Sequence, residues 1–140
     1  MKLVPLFDLD FTYTTFDFVG PIEGDKGKED QGWGLAEGSV RGERVSGSHH
    51  SCNHPRQRAD NVNLPDAHGI ITTDDGAKIY YHLEGFGIAT QGTRRTTGSA
   101  RFRTGDPRYS WLNTVIAVDE GRFSGNTAPI RFYECVADEA

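Results

Sequence analysis

The chain has 140 residues, a formal net charge of -5 and a pI near 5.5. That length predicts one domain, 1–140, able to bury a core without metal or disulfide staples, and the acidic balance argues against nucleic acid, where affinity comes from Lys and Arg on phosphates. No apolar run approaches the roughly 20 residues of a membrane-spanning helix, so no membrane partner and a cytoplasmic location are expected, with Cys52 and Cys135 as free thiols.

"MKLVPLFDLD" has one lysine and an apolar run broken by Asp8 and Asp10; it lacks a signal-cleavage pattern and reads as a first strand. Further on, 17 glycines and 6 prolines separate short segments with alternation and β-branched or aromatic residues, which predicts strands near 2–9, 11–19, 33–40, 43–50, 68–73, 77–85, 98–104, 109–119 and 128–137. Between them, "VGPIEGDKGKEDQGWG" (Val19–Gly34) is polar and glycine-rich and reads as a long loop, a flap over one end of the fold. A short helical turn is expected near Asn61–Asp66. No window carries a helical period.

Turns are predicted at Asp75-Gly76, a pair favoured where both central residues need positive φ, at Glu120-Gly121, and around Gly105-Asp106-Pro107. Eight or nine short strands with little or no helix predict an all-β fold, a closed antiparallel β-barrel whose closure removes exposed edges. A barrel of about eight strands is either filled by side chains or holds one small ligand.

The densest chemistry lies in "SGSHHSCNHPRQRAD" (Ser46–Asp60). As a metal site it is unconvincing. His50, Cys52 and His54 share a face if extended, but residues four apart in a strand stand about 13 Å from each other, too far for one ion to take both ends and the middle. Neither a metal nor a cofactor is expected. The "NHPRQRAD" portion is a stiffened, donor-rich loop of the kind that carries sites. Asp60 beside Arg56 or Arg58 is held ionised; in a dry pocket it is a proton shuttle. His54, an imidazole, suits the same work. A polar surface turn with weak ion pairs is the competing reading.

In "RYSWLNTVIAV", strand alternation puts Tyr109, Trp111 and Asn113 on one face, suited to gripping a flat molecule; a core aromatic pair is the alternative. In "AKIYYHLEGFG", Ile79, Tyr81 and Leu83 read as core, while Tyr80, His82 and Glu84 line a lumen or face water.

Taken together, "LVPLFDLDFTY", "GSVRGERVSG", "NHPRQRADNVNLPDAHGIITTDDGAKIYYHLEGFG" and "RFRTGDPRYSWLNTVIAV" resemble the domain-of-unknown-function family 3237 over nearly the whole chain. Its most specific pieces are "TTDDGAKI" and "RYSWLN". The resemblance implies a barrel of the calycin or allene-oxide-cyclase type, in a family whose members are largely uncharacterised. It implies that Asn53, His54, Arg56, Asp60, Tyr109, Trp111 and Asn113 converge at one barrel mouth. Asp60 is the position that best matches an aspartate of another branch, although Asn61 stands where a glycine is usual.

The leading functional expectation is a cofactor-free isomerase, cyclase, lyase or hydrolase acting on a small carbonyl-bearing or aromatic metabolite. Asp60 and His54 are its acid/base pair; Asn53, Arg56, Arg58, Tyr109, Trp111 and Asn113 bind the substrate. Two rivals stay open: a carrier barrel without chemistry, and a structural or protein-interaction barrel with a filled interior and an apolar outer patch. A homodimer is an open expectation.

Overall fold

The structure, a computed structural model, describes residues 1–139. Eleven strands form it: β1 (Lys2–Phe18), β2 (Ile22–Gly24), β3 (Gly27–Arg41), β4 (Gly47–Asn53), β5 (Arg56–Gln57), β6 (Asn63–Leu64), β7 (Asp66–Thr73), β8 (Lys78–Thr90), β9 (Thr93–Arg103), β10 (Ile116–Phe123) and β11 (Thr127–Val136). Eight of them close an antiparallel barrel in the cyclic order β1-β11-β10-β9-β8-β7-β4-β3. The closed all-β barrel expected from the sequence is therefore the fold. Short β5 and β6 bridge β3 and β8 at one end, and β2 hangs on β3 alone.

β1 closes the circle because it is long and bent. One edge pairs with β11 over Lys2 to Thr12, the other with β3 over Asp8 to Phe18. A register shift between Pro5 and Phe7 accommodates a residue with no N–H to give. It also buries Leu6 and Phe7 in succession.

Alternation then fills the interior. In its lower half, Phe7 packs on Phe102 and Phe132 with ring centroids 6.0 and 4.8 Å apart. Val40, Ile71, Ile79 and Ala117 surround them. A 3-10 helix (Pro107–Thr114) stoppers this end, burying Leu112 completely. In the upper half Phe11, Tyr13 and Phe123 form an aromatic cluster, with Tyr13 stacked on Phe123 at 5.8 Å.

Several local expectations are corrected. Val19–Gly34 is not a loop: it holds β2 and the start of β3, a hairpin paired at Ile22↔Glu29 and Glu23↔Lys28. The hairpin is exposed on both faces, so it shows no apolar alternation to read. The 109–119 strand is half helix, started by Asp106, which accepts from the Arg108 N–H at 2.9 Å, and by Pro107 in the first turn. Glu120-Gly121 lies inside β10; the turn falls later, at Ser124–Thr127, with Gly125 at φ 62°. The Asn61–Asp66 segment is β6 and the start of β7, the turn coming earlier at Arg58–Asn61.

The Asp75-Gly76 turn is present in another form. Gly76 alone has positive φ, closing a three-residue loop between Thr73 and Ala77. The two-residue turn with positive φ at both positions is Gln91-Gly92, between β8 and β9. Among the described residues no helix is long and apolar enough to cross a membrane.

Candidate functional site

The polar groups inside the barrel gather in its upper half. β4 turns His49, Ser51 and Asn53 inward and His50 and Cys52 outward. The His49 Nε2 lies 2.7 Å from the carbonyl oxygen of Asp10, which only accepts, so Nε2 carries the proton and donates. Nδ1 therefore accepts from the Ser51 hydroxyl at 2.8 Å, and Ser51 in turn accepts from the Tyr81 hydroxyl at 2.5 Å. Burial pushes the His49 pKa down, which keeps the ring neutral as this chain requires. Burial also drives the Tyr81 hydroxyl well above its ordinary value, so it remains a donor.

Asn53 forms a second link. Its amide N–H donates to the Tyr13 hydroxyl oxygen at 2.6 Å, and its carbonyl accepts from the Asp66 backbone N–H at 3.0 Å. That fixes the Tyr13 ring and leaves its own O–H hydrogen to donate.

Asp119 differs from all of these. It sits on the inward face of β10, opposite Gly98, and is 6% exposed. Its Oδ2 has no hydrogen-bond partner among the described residues, and neither does the nearby inward hydroxyl of Thr96. Desolvation raises the Asp119 pKa to about 7. Glycine across the ladder gives the carboxylate its space: a Cβ at Gly98 would stand 3.1 Å from Oδ2. Asp119 and Thr96 line a cavity of ≈20 Å³ with Phe11, Asn53, Leu83 and Phe123. That is room for about one water.

The residues singled out in the sequence do not share one mouth. Tyr109, Trp111 and Asn113 belong to the helix at the lower end. There Tyr109 donates to Asp75 at 2.9 Å, Trp111 lies under the Arg44 guanidinium at 4.7 Å, and Asn113 caps the end of β9 through Thr104. Asn53, His54, Arg56, Arg58 and Asp60 lie at or beyond the upper end. Of the whole set, only Asn53 reaches the interior.

Asp60 is exposed and forked onto Arg58 at 2.7 and 3.0 Å, which holds its carboxyl below the usual range. The structure thus gives it the ion-paired environment, not the dry one. His54, Arg56 and Arg58 do share an outer groove of ≈610 Å³ with Asp66, Glu84 and Phe86. Outward-facing His82 donates toward Asp66 at 2.7 Å beside it. Sequence reasoning did not reach Asp119, Thr96, Tyr13, His49, Ser51 or Tyr81 as a group. The available signal was an acid in register with Ala117 and Phe123 on an apolar face.

A family model described as a protein of unknown function, DUF3237, matches residues 1–135. The chain belongs to the DUF3237 family. No curated protein matches it. Among solved structures, a beta-barrel like protein from Acinetobacter baumannii AYE is similar at 20% identity, over 95% of this chain and 94% of that one, with a TM-score of 0.83. A protein of unknown function from Clostridium acetobutylicum ATCC 824 is similar at 20% identity over 97% and 100%, with a TM-score of 0.82. An enzyme from Penicillium herquei is similar at 22% identity over 95% and 94%, with a TM-score of 0.70. At these identities the likeness is one of fold, so the activity of a DUF3237 chain has to be argued from its own side chains.

Proposed function

We propose that the protein is a cofactor-free acid/base enzyme, an isomerase, cyclase, lyase or hydrolase of a small carbonyl-bearing or aromatic metabolite, and that Asp119 moves the proton. The observation that carries this reading is a buried carboxylate, unpaired at Oδ2, facing a cavity and poised near pH 7. A group with that pKa gives and takes protons with least penalty at neutral pH. A structural aspartate has its oxygens satisfied.

A chamber of ≈20 Å³ takes the reacting oxygen of a substrate, not its whole body. Protonated Asp119 gives its hydrogen to that oxygen or to the carbon beside it. Asn53, which lines the chamber and gives one amide N–H to Tyr13, has its other N–H to donate as negative charge develops. Phe11 and Phe123 supply the apolar wall. The fold neighbour from Penicillium herquei is an enzyme, which supports catalysis on this scaffold and says nothing of the reaction.

The test is a screen of carbonyl-bearing metabolites for turnover, followed by kinetics of variants. Asp119→Asn is expected to lower kcat by about 100-fold or more, while Asp60→Asn leaves it unchanged. The wild-type kcat/KM profile is expected to break near pH 7. Equal turnover by Asp119→Asn and wild type overturns the assignment.

A second reading has its own observation. The outer groove of ≈610 Å³ falls in the size range of small-molecule pockets, and Arg56 and Arg58 suit an anionic group there. A carrier of that kind would lose ligand on Arg56→Ala and be indifferent to Asp119→Asn.

A further inference from the structure

The outer face of the barrel carries a side-chain cluster that the Asp119 chemistry does not use. Asp66 and Glu84 stand directly opposite each other across β7 and β8, and His82 lies two residues from Glu84 on the same outward face. His54 is brought to the other side of Asp66 by its own backbone, its N–H donating to the Asp66 carbonyl at 3.1 Å. The ligand-type atoms of Asp66, His82 and Glu84 all lie within 4.8 Å of one another. His82 Nε2 is 2.7 Å from Asp66 Oδ1 and 3.5 Å from Glu84 Oε1, and His54 Nδ1 is 3.6 Å from Asp66 Oδ2.

These separations have a chemical meaning. Zinc binds imidazole nitrogen and carboxylate oxygen at about 2.0–2.2 Å in a tetrahedral shell, which puts neighbouring donor atoms roughly 3.4 Å apart. The His82–Glu84 separation of 3.5 Å already falls close to that edge. The His82–Asp66 separation of 2.7 Å is a hydrogen bond. It opens by roughly 0.7 Å when His82 gives up that contact and turns its lone pair to an ion. One imidazole with two carboxylates forms a mixed nitrogen/oxygen set that suits zinc, and not the all-oxygen set that suits calcium or magnesium.

We infer that Asp66, His82 and Glu84 form a three-donor site for a divalent transition-metal ion, Zn²⁺ by preference, on the wall of the outer groove, with His54 beside the second oxygen of Asp66. The donors come from two paired strands, Asp66 from β7 and His82 and Glu84 from β8. Neither strand has to part from the other to bring them together. His54, Asp66 and Glu84 also line the groove that Arg56 and Arg58 share, so an ion held there would face the space where an anionic ligand fits. The inference is independent of Asp119, which lies inside the barrel.

The test is calorimetric titration of the full chain with Zn²⁺ after removal of metal, with thermal unfolding as a second readout. One equivalent is expected to bind saturably and to raise Tm with concentration, as a ligand of the folded state must. His82→Gln and Asp66→Asn are each expected to weaken binding by at least about tenfold, by analogy with the loss of weaker outer contacts. Both side chains are partly exposed, so the variants fold, and unfolding of the metal-free variants verifies that. His50→Ala, on the outer face of β4, and Cys52→Ser are expected to bind as wild type. Absence of saturable binding overturns the site, and so does wild-type affinity in His82→Gln. Loss of binding in Cys52→Ser would transfer the ion to the thiol and equally overturn it.

Discussion

Asp119 has a thermodynamic signature separate from turnover. Its folded pKa of about 7 stands above the 3.8 of an ordinary aspartate, so between those values the folded chain holds a proton that the unfolded chain releases. Stability from this group is fully present below about pH 4 and is lost as the pH rises through 7, a swing of about 4 kcal/mol at most. Buried His49, with its pKa lowered, acts in the opposite sense: it costs stability as the pH falls below the ordinary histidine value. The two are separated by difference. Urea unfolding of wild type and Asp119→Asn at pH 5 and pH 8 is expected to show the wild type losing stability toward pH 8 relative to the variant. Equal pH dependence in the two proteins would mean that the carboxyl is not desolvated. In the sequence, Asp119 is hidden by its neighbours. "DEG" reads as a turn, and a turn at Glu120-Gly121 cuts the alternation that would otherwise set Asp119 beside Ala117 and Phe123. Asn53 was legible because the polar loop that follows it draws attention to the end of β4. Asp60 was conspicuous for a reason that proves to be local, its proximity to Arg58.

Among the elements, the 3-10 helix departs most from the sequence reading. Tyr109, Trp111 and the β-branched residues after them resemble a strand by composition. Asp106 and Pro107 are a helix-start pair, and they dictate the local conformation. The helix makes only one fully buried contact, Leu112, but that side chain closes the lower core beneath Phe7, Phe102 and Val115. Leu112→Ala is expected to cost about 3 kcal/mol, measured as a fall in the urea midpoint with unchanged slope. A cost under about 1 kcal/mol would show that the stopper is dispensable. The same element explains why Tyr109, Trp111 and Asn113 are polar or aromatic: Asp75, Arg44 and Thr104 are their partners, and they stitch the helix to the loops around it. The β2–β3 hairpin was illegible for the opposite reason. A two-stranded ribbon in water buries neither face, so it leaves no period in the sequence.

Over the whole molecule, closure distributes stability unevenly. Each of the eight barrel strands has a hydrogen-bonded neighbour on both sides, whereas β2 has one neighbour and is exposed throughout. Hydrogen exchange is therefore expected to be slowest at Leu9, Ile79 and Tyr81, where opening approaches global unfolding. It is expected to be faster by orders of magnitude at Glu23 and Lys28, where fraying suffices. Comparable protection in hairpin and barrel would show that the ribbon is docked and not free. The barrel as a class was legible because glycine punctuation, short β-rich segments and the lack of a helical period all pointed one way. Which strands adjoin was not legible, since β1 gives no sign that it will serve two partners. That double service puts the beginning and end of the described chain side by side: Lys2 pairs with Val136, and the Met1 ammonium lies 2.6 Å from an Asp138 carboxylate oxygen. The circle of strands consequently has no privileged first member. Joining the two ends and reopening the chain at the exposed Gln91-Gly92 tip would preserve every strand neighbour, so the order in which the ribosome reads these strands is one of several that specify the same barrel.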